Sequence, residues 1–443
     1  MKVDPKRRWK MCLIAGATMA LVAGMVSAVP SAYAGGTIKS EDDPDKYISL
    51  GMGIRQSFTS GEDRSASGGQ WNNTFAIDNA RIYINGGIHK YVKFTFNTEC
   101  FNCSVNGNGG PVLAYGNESI GLIDAIGKFE ITRTVNFWVG RTLVPTERGE
   151  LNGPFYHQVY DGFRTPFNQS DISPGFGTGR AGAFGRDQGL VFFGQVDPGG
   201  THLLYAAMVS TGLQSANGAG PNQRSTLKYS GRLQWNLLND EMTGNPGYYT
   251  AGGYYGEKGD LLSLAVSGEY QNQGVGSFAN PHSYATFIGD ILFEKVLGSS
   301  GSGGVFTANA EYKRYWTQDL AAYNDADCFC MFNGTSVTGY VLYMFPQEIG
   351  IGKFQPYGRY TYVDSLYQNA HNEYEAGVNY IISGFNARFS LFGRTGDLAS
   401  NGGPTNSSFT SPFPGSSVNA AGTGLSSNSK HVDSITLALQ LQY

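Results

Sequence analysis

At the carboxyl end of the chain Ile435, Leu437, Leu439, Leu441 and Tyr443 alternate with Ser434, Thr436, Gln440 and Gln442. Only an extended strand puts two such series on opposite faces. An unbroken apolar face backed by a polar one suits a strand with lipid on one side and a wet lumen on the other. The alternation recurs upstream. Ile48, Leu50, Met52 and Ile54 interleave with Ser49, Gly51, Gly53 and Arg55, and Ala80, Ile82 and Ile84 with Asn79, Arg81, Tyr83 and Asn85. Val92, Phe94 and Phe96 interleave with Lys93, Thr95, Asn97 and Glu99, and comparable runs occupy 227–237, 262–271, 306–313 and 386–394. The stretches 119–130 and 283–296 have no clear parity. A soluble sandwich would bury each apolar face against a second sheet, so alternation alone leaves that architecture open.

The connections separate the two. Short links fall near 86–88, 131–134, 196–200, 238–247, 297–303, 346–352 and 383–385. They alternate with longer Gly/Asn/Ser-rich links near 59–72, 100–118, 145–186, 212–224, 272–282, 318–334, 364–372 and 396–430. Seven short and eight longer links imply sixteen strands. Strict short/long alternation is the habit of an up-and-down outer-membrane barrel, with turns on the periplasmic side and loops outside. The expected fold is therefore all-β: a closed antiparallel transmembrane β-barrel, in which closure leaves no unpaired backbone edge in lipid.

Residues 1–34 read as a secretory leader. Lys2, Lys6, Arg7, Arg8 and Lys10 precede an apolar run over 11–29, and Ala32-Tyr33-Ala34 supplies a small-x-small cleavage site. A retained anchor fits less well, because small residues and not a basic stop follow the apolar run. Residues 35–443 then form a single exported domain. Of 31 basic and 35 acidic residues the leader holds five and one, so the mature chain carries a net charge of −8, which argues against a nucleic-acid partner. No second run of 18 apolar residues exists to make a transmembrane helix, whereas Gly 62, Tyr 27 and Phe 27 suit short strands with aromatic girdles.

Polar parity places Arg55, Arg81, Lys93, Lys228, Arg232, Lys313, Arg359, Arg388 and Arg394 inside the lumen, against Glu99, Glu269, Glu311 and Glu375. Nine cations against four anions predict a modest anion preference, unless the side chains simply pair with those glutamates. Cys100, Cys103, Cys328 and Cys330 fall in loops expected outside the cell, where disulfides form. Three pairings are open, and a four-thiolate metal site fits less well because it needs reduced thiols. No Cys-x-x-Cys-His haem attachment is present, and neither a metal nor another cofactor is expected. The glycines of 175–180 have no strand-glycine-helix context and read as loop flexibility. His157 with Asp161 is the one suggestive histidine pair, and it lacks a placed nucleophile.

Several short segments resemble the phosphate-selective porin O and P family of bacterial outer-membrane porins. They are Asn79-Ala80-Arg81-Ile82-Tyr83-Ile84-Asn85-Gly86, Val139-Gly140-Arg141 with Pro145 and Glu147-Arg148, Gly185-Arg186-Asp187-Gln188-Gly189, Phe354-Gln355-Pro356-Tyr357-Gly358-Arg359-Tyr360, and Gly377-Val378-Asn379-Tyr380 with Asn386-Ala387-Arg388. The resemblance implies a sixteen-stranded channel in the outer membrane, assembled as a homotrimer, with an inward-folded third loop narrowing the pore. The aromatic-terminated tail ending at Tyr443 likewise resembles the signal read by the barrel-assembly machinery. The candidate constriction loop, 145–186, contains no lysine but carries Arg148, Arg164, Arg180 and Arg186 beside Glu147, Glu150, Asp161 and Asp171. This departs from the cationic constriction of phosphate-selecting members. The resulting expectation is a passive porin for small anionic or neutral hydrophilic solutes, not an enzyme. An outer-membrane hydrolase, or a sheath around a separate partner such as a cytochrome, are the alternatives.

Overall fold

The computed structural model describes residues 36–62, 71–101, 119–162, 165, 185–215, 217–242, 247–299, 302–323, 325, 327–366, 370–398 and 431–443. The leader, Cys103, Arg164, Asp171, Arg180 and the glycine run lie outside the described residues.

Seventeen strands follow one another: β1 (Gly36–Lys39), β2 (Tyr47–Gly61), β3 (Asn72–His89), β4 (Val92–Phe101), β5 (Ser119–Glu130), β6 (Asn136–Leu143), β7 (Arg186–Val196), β8 (His202–Ser210) and β9 (Lys228–Asn236), then β10 (Leu261–Gly276), β11 (Pro281–Val296), β12 (Val305–Trp316), β13 (Gly334–Met344), β14 (Lys353–Ser365), β15 (His371–Ser383), β16 (Ala387–Gly396) and β17 (Val432–Gln442). From β2 onward each pairs antiparallel with the next. β17 returns to β2 in a register running from Ser434↔Gly61 to Gln442↔Gly53, which closes a ring of sixteen. β1 stands outside the ring. It pairs with β2 over Gly36↔Leu50 to Lys39↔Tyr47, where β17 has already ended on the reciprocal backbone bonds between Tyr443 and Met52 at 2.7 and 2.8 Å. The strap thus satisfies backbone groups of β2 that the last strand is too short to reach.

The expected outward residues are outward. Met52, Val341, Leu391 and Leu437 each keep about half of their surface exposed, while Arg55, Tyr340, Ser390 and Ala438 beside them are buried. The two stretches of unclear parity are β5 and β11, and each has a physical reason. In β5 the register shifts opposite Asn97 and Thr98, so Ile120 and Leu122 face out but Asp124, Ile126 and Lys128 face in. In β11 Tyr284, Ile288 and Leu292 are fully buried on the inner face, where they alternate with buried Thr286, Asp290 and Glu294. That face mixes apolar and polar residues because protein, not water, covers it.

The start of β2, the end of β17 and the links at 90–91, 131–135, 197–201, 237–260, 297–304, 345–352 and 384–386 share one end of the barrel; at the other end two links expected to be longer, 277–280 and 366–370, are short. One expected short link is not short. The connection near 238–247 extends from 237 to 260 and turns into the barrel, with Glu241, Met242, Tyr248, Thr250 and Ala251 buried. The apolar residues that should have marked it as a covered segment, Tyr248, Tyr249, Tyr254 and Tyr255, sit among glycines past the end of the expected link and before the run at 262–271.

Candidate functional site

Two inward segments meet inside the ring, entering from opposite ends. The first links β6 to β7 and contains a short helix, α1 (Arg148–Asn152), all five residues of which are buried. It stops at Gly153, whose φ of 57° suits glycine. The second is the 237–260 segment. Arg148 joins them to the wall: its guanidinium lies 3.2 Å from Glu241 and 3.4 Å from Asp290 of β11, and donates to Ser263 Oγ of β10 at 2.9 Å and to the Ala251 carbonyl at 3.0 Å. Burial works against this charge, but Glu241 and Asp290 outweigh it and hold the Arg148 proton more tightly than usual. On the far side of α1, Lys313 pairs with Glu147.

Beyond α1 the chain crosses the lumen on its own backbone carbonyls. Gln440 donates to Phe155 O at 2.8 Å, Arg388 and Asn379 donate to Gln158 O at 3.0 and 2.9 Å, and Arg55 and Arg359 reach the carbonyls of Tyr160 and Asp161. Carbonyls that no sheet or helix satisfies are thereby paired by long side chains of the wall. His157 is buried at 2 % exposure in this stretch. Burial and the nearby Arg55 push its imidazole down to about 3, so it is neutral at ordinary pH. Its expected companion Asp161 turns to Arg394 at 3.1 Å.

All nine wall cations read from alternation project inward, yet seven have carboxylate partners. Arg81 pairs with Glu99 at 2.6 Å, Lys93 with Glu130 at 2.6 Å, Lys228 with Glu269 at 2.8 Å and Asp187 at 3.3 Å, and Arg232 with Asp290 at 2.5 Å. Lys313 takes Glu147, while Arg359 and Arg394 share Glu375 at 2.5 Å each. Arg55 and Arg388 donate instead to neutral oxygens, Arg55 to Asn79 at 2.6 Å and Arg388 to Gln440 at 3.0 Å, and Arg55 stacks 4.0 Å over the Tyr160 ring. Counting nine against four omitted inward acids: Asp124, Asp290 and Glu294, hidden in the stretches of unclear parity, and Asp187 and Glu373. Of the constriction-loop arginines, Arg148 is the clamp just described and Arg186 begins β7, where it pairs with Asp124 at 3.1 Å.

The interior is unequally filled. On β9 to β17 inward side chains such as Lys228, Gln234, Thr307, Gln355, Asn379 and Gln440 are sealed at 0 %. Between β5 and β8 an apolar cluster of Ile126, Trp138, Val191, Phe193, Leu204 and Met208 packs on Tyr248 and Tyr249 of the second segment. Along β3 to β5, by contrast, inward Tyr83, Asn85, Lys93, Asn97 and Lys128 are only half-buried, and Tyr156 of the first segment keeps 41 % exposure. The more accessible inner positions therefore lie on this side, interspersed with buried Arg81, Thr95 and Glu99. Lys128 is the residue that alternation missed; its Nζ lies 4.1 Å over the Trp138 ring.

Cys328 is bonded to Cys330, a local bridge, and Cys100 is also disulfide-bonded. Phe329 between the first pair is fully buried and exchanges backbone bonds with Gly276 at 3.1 and 2.8 Å.

No protein-family model matches the chain, and no curated protein matches it significantly. Solved structures do. OmpF of Salmonella typhi in complex with daunomycin superposes with a TM-score of 0.51 at 10 % identity, over 90 % of this chain and 98 % of that one. OprB of Pseudomonas putida gives 0.51 at 8 % identity, over 89 % and 94 %. The outer-membrane channel DcaP of Acinetobacter baumannii gives 0.48 at 13 %, over 93 % and 100 %. At such identities the likeness concerns the fold alone, a closed antiparallel barrel of sixteen strands like those of outer-membrane barrels.

Proposed function

We propose that this chain is an outer-membrane diffusion channel for small hydrophilic solutes with a weak anion preference. One observation carries the reading. Inside a closed barrel, Tyr83, Asn85, Lys93, Asn97 and Lys128 on the inner side of β3 to β5 and Tyr156 are partly exposed, which supports a wet path beside the filled half. In this reading the termini and short links face the periplasm and the first inward segment narrows the pore. The leader ending at Ala34 exports the chain, and the strand ending at Tyr443 presents it to the assembly machinery. Resemblance to the phosphate-selective porin O and P family supports a homotrimer. Among the described residues Arg55, Arg388 and Lys128 are the inward cations without a carboxylate partner; the anion preference rests on Lys128, the partly exposed one, and is weak because the others are sealed or neutralised in pairs. Planar-bilayer recording of the refolded protein in a potassium chloride gradient is the test. Stable conductance with a reversal potential on the chloride side is expected; a silent barrel, or one that prefers potassium, overturns the proposal.

A further inference from the structure

We infer that anion selection, if the channel reading above holds, is made at the periplasmic mouth by Lys128 and not at the midpoint by the arginines of the constriction. Lys93 and Lys128 stand directly opposite each other in the β4–β5 ladder, both on the inner face. Like charges in that relation repel, and a wall built only for stability would balance them. Here one carboxylate serves two ammonium groups: Glu130 holds Lys93 at 2.6 Å. The next inward acid on β5, Asp124, is already engaged by Arg186 at 3.1 Å and Asn97 at 2.8 Å.

Lys128 is therefore left with a π face. Its ammonium sits 4.1 Å from the centroid of Trp138, a contact that fixes a cation without neutralising it. Trp138 is itself held by Phe193 at 5.0 Å and by Tyr249 at 5.4 Å, so the charge stands on a rigid platform. Position adds to this. β4 begins at Val92 and β5 ends at Glu130, so the trio lies within a turn or so of the barrel end that carries the termini.

Access separates Lys128 from its rivals. Arg55 and Arg388 are 5 % and 0 % exposed and their guanidiniums are occupied by carbonyl and amide oxygens. A passing ion cannot replace those partners without undocking the inward segment. Lys128 is half-buried on the open side, where a fixed charge beside low-dielectric walls concentrates counter-ions. The ligand class is small inorganic and carboxylate anions, bound in transit.

Neighbouring substitutions have opposite signs. A unit charge about 6 Å from the ion path in water changes the permeability of each ion about threefold, in opposite senses for an anion and a cation, so their ratio changes about tenfold. With chloride and potassium as probes, Lys128→Gln is expected to lower the chloride-to-potassium permeability ratio about tenfold, Lys128→Arg to keep it, and Glu130→Gln to raise it by freeing Lys93. Each variant is checked for heat-modifiable gel mobility, so that a misfolded barrel is recognised. If K128Q and E130Q leave the ratio unchanged while Arg55→Gln or Arg388→Gln lowers it, the inference is wrong and selection is made at the constriction. A wild-type barrel without conductance removes the channel reading itself, which is a different result.

Discussion

Arg148 is the place where removing one side chain should release one piece of the interior and nothing else. Replacing it with methionine keeps most of the volume of α1 but leaves Glu241, which is 0 % exposed, without a cation. Asp290 is less affected, because Arg232 still grips it at 2.5 Å. Breaking a buried ion pair by deleting one partner costs about 3 to 5 kcal/mol. Spent entirely on docking of the segment around α1, that shifts its closed-to-open ratio on the order of a hundred- to a few thousand-fold. The barrel should survive, since the closing ladder between β17 and β2 and the carbonyl contacts of 155–161 are untouched. The assay is single-channel recording beside heat-modifiable mobility: R148M should give larger, noisier currents with an unchanged mobility shift. Adding Glu241→Gln removes the stranded charge and should recover about 1 to 3 kcal/mol of the loss. Quiet, wild-type-sized currents in R148M would refute the idea that this arginine pins the segment. So would a double variant worse than the single one.

Other outcomes follow from the same geometry. Leu437, exposed on the outer face of β17, should lie near the bilayer midplane, so Leu437→Arg is expected to cost about 2 to 4 kcal/mol of folding stability in lipid vesicles; no cost would argue that this face does not meet lipid. His157 has an ordinary value of 6.5 and a folded value of about 3. Because the folded state refuses a proton that the released segment accepts, docking should weaken as pH falls from 6.5 toward 3 and hold steady above it. His157→Gln should flatten that part of a pH profile of channel noise, and an identical profile would exclude the histidine. Reducing the Cys328–Cys330 bridge, or Cys328→Ser with Cys330→Ser, should loosen the 317–333 loop by about 1 to 2 kcal/mol. The readout is faster proteolysis there, with unchanged cleavage elsewhere.

How far the chain could be read before folding differs between its wall and its contents. Links near 131–134, 297–303 and 346–352 lie where the structure has them, at 131–135, 297–304 and 345–352, because strand ends are announced locally by Gly, Asn, Ser and Pro. The 237–260 segment failed that test. Its burial depends on Trp138 and Phe193, strands away in sequence, and nothing near residue 248 reveals them. Lys128 was lost for a related reason: one extra residue opposite Asn97 and Thr98 reverses every later side chain on β5, and a period-two reading has no means to detect it.

By itself, then, the sequence determined the ring: strand number, the place of most links though not the length of all of them, and outward or inward sense for most of the wall. Each of those depends only on neighbours along the chain, since a strand's two faces and its turn residues are local properties. Tertiary structure decided what the ring encloses. Whether an inward cation is free or cancelled turns on which of Glu130, Asp290 or Glu375 folding brings within 4 Å, and Coulomb energy falls off with distance in space, not along the sequence. Composition alone could not say that Arg148, Glu241 and Asp290 would share one buried clamp, nor that Tyr83 and Lys128 would stay partly exposed inside the ring.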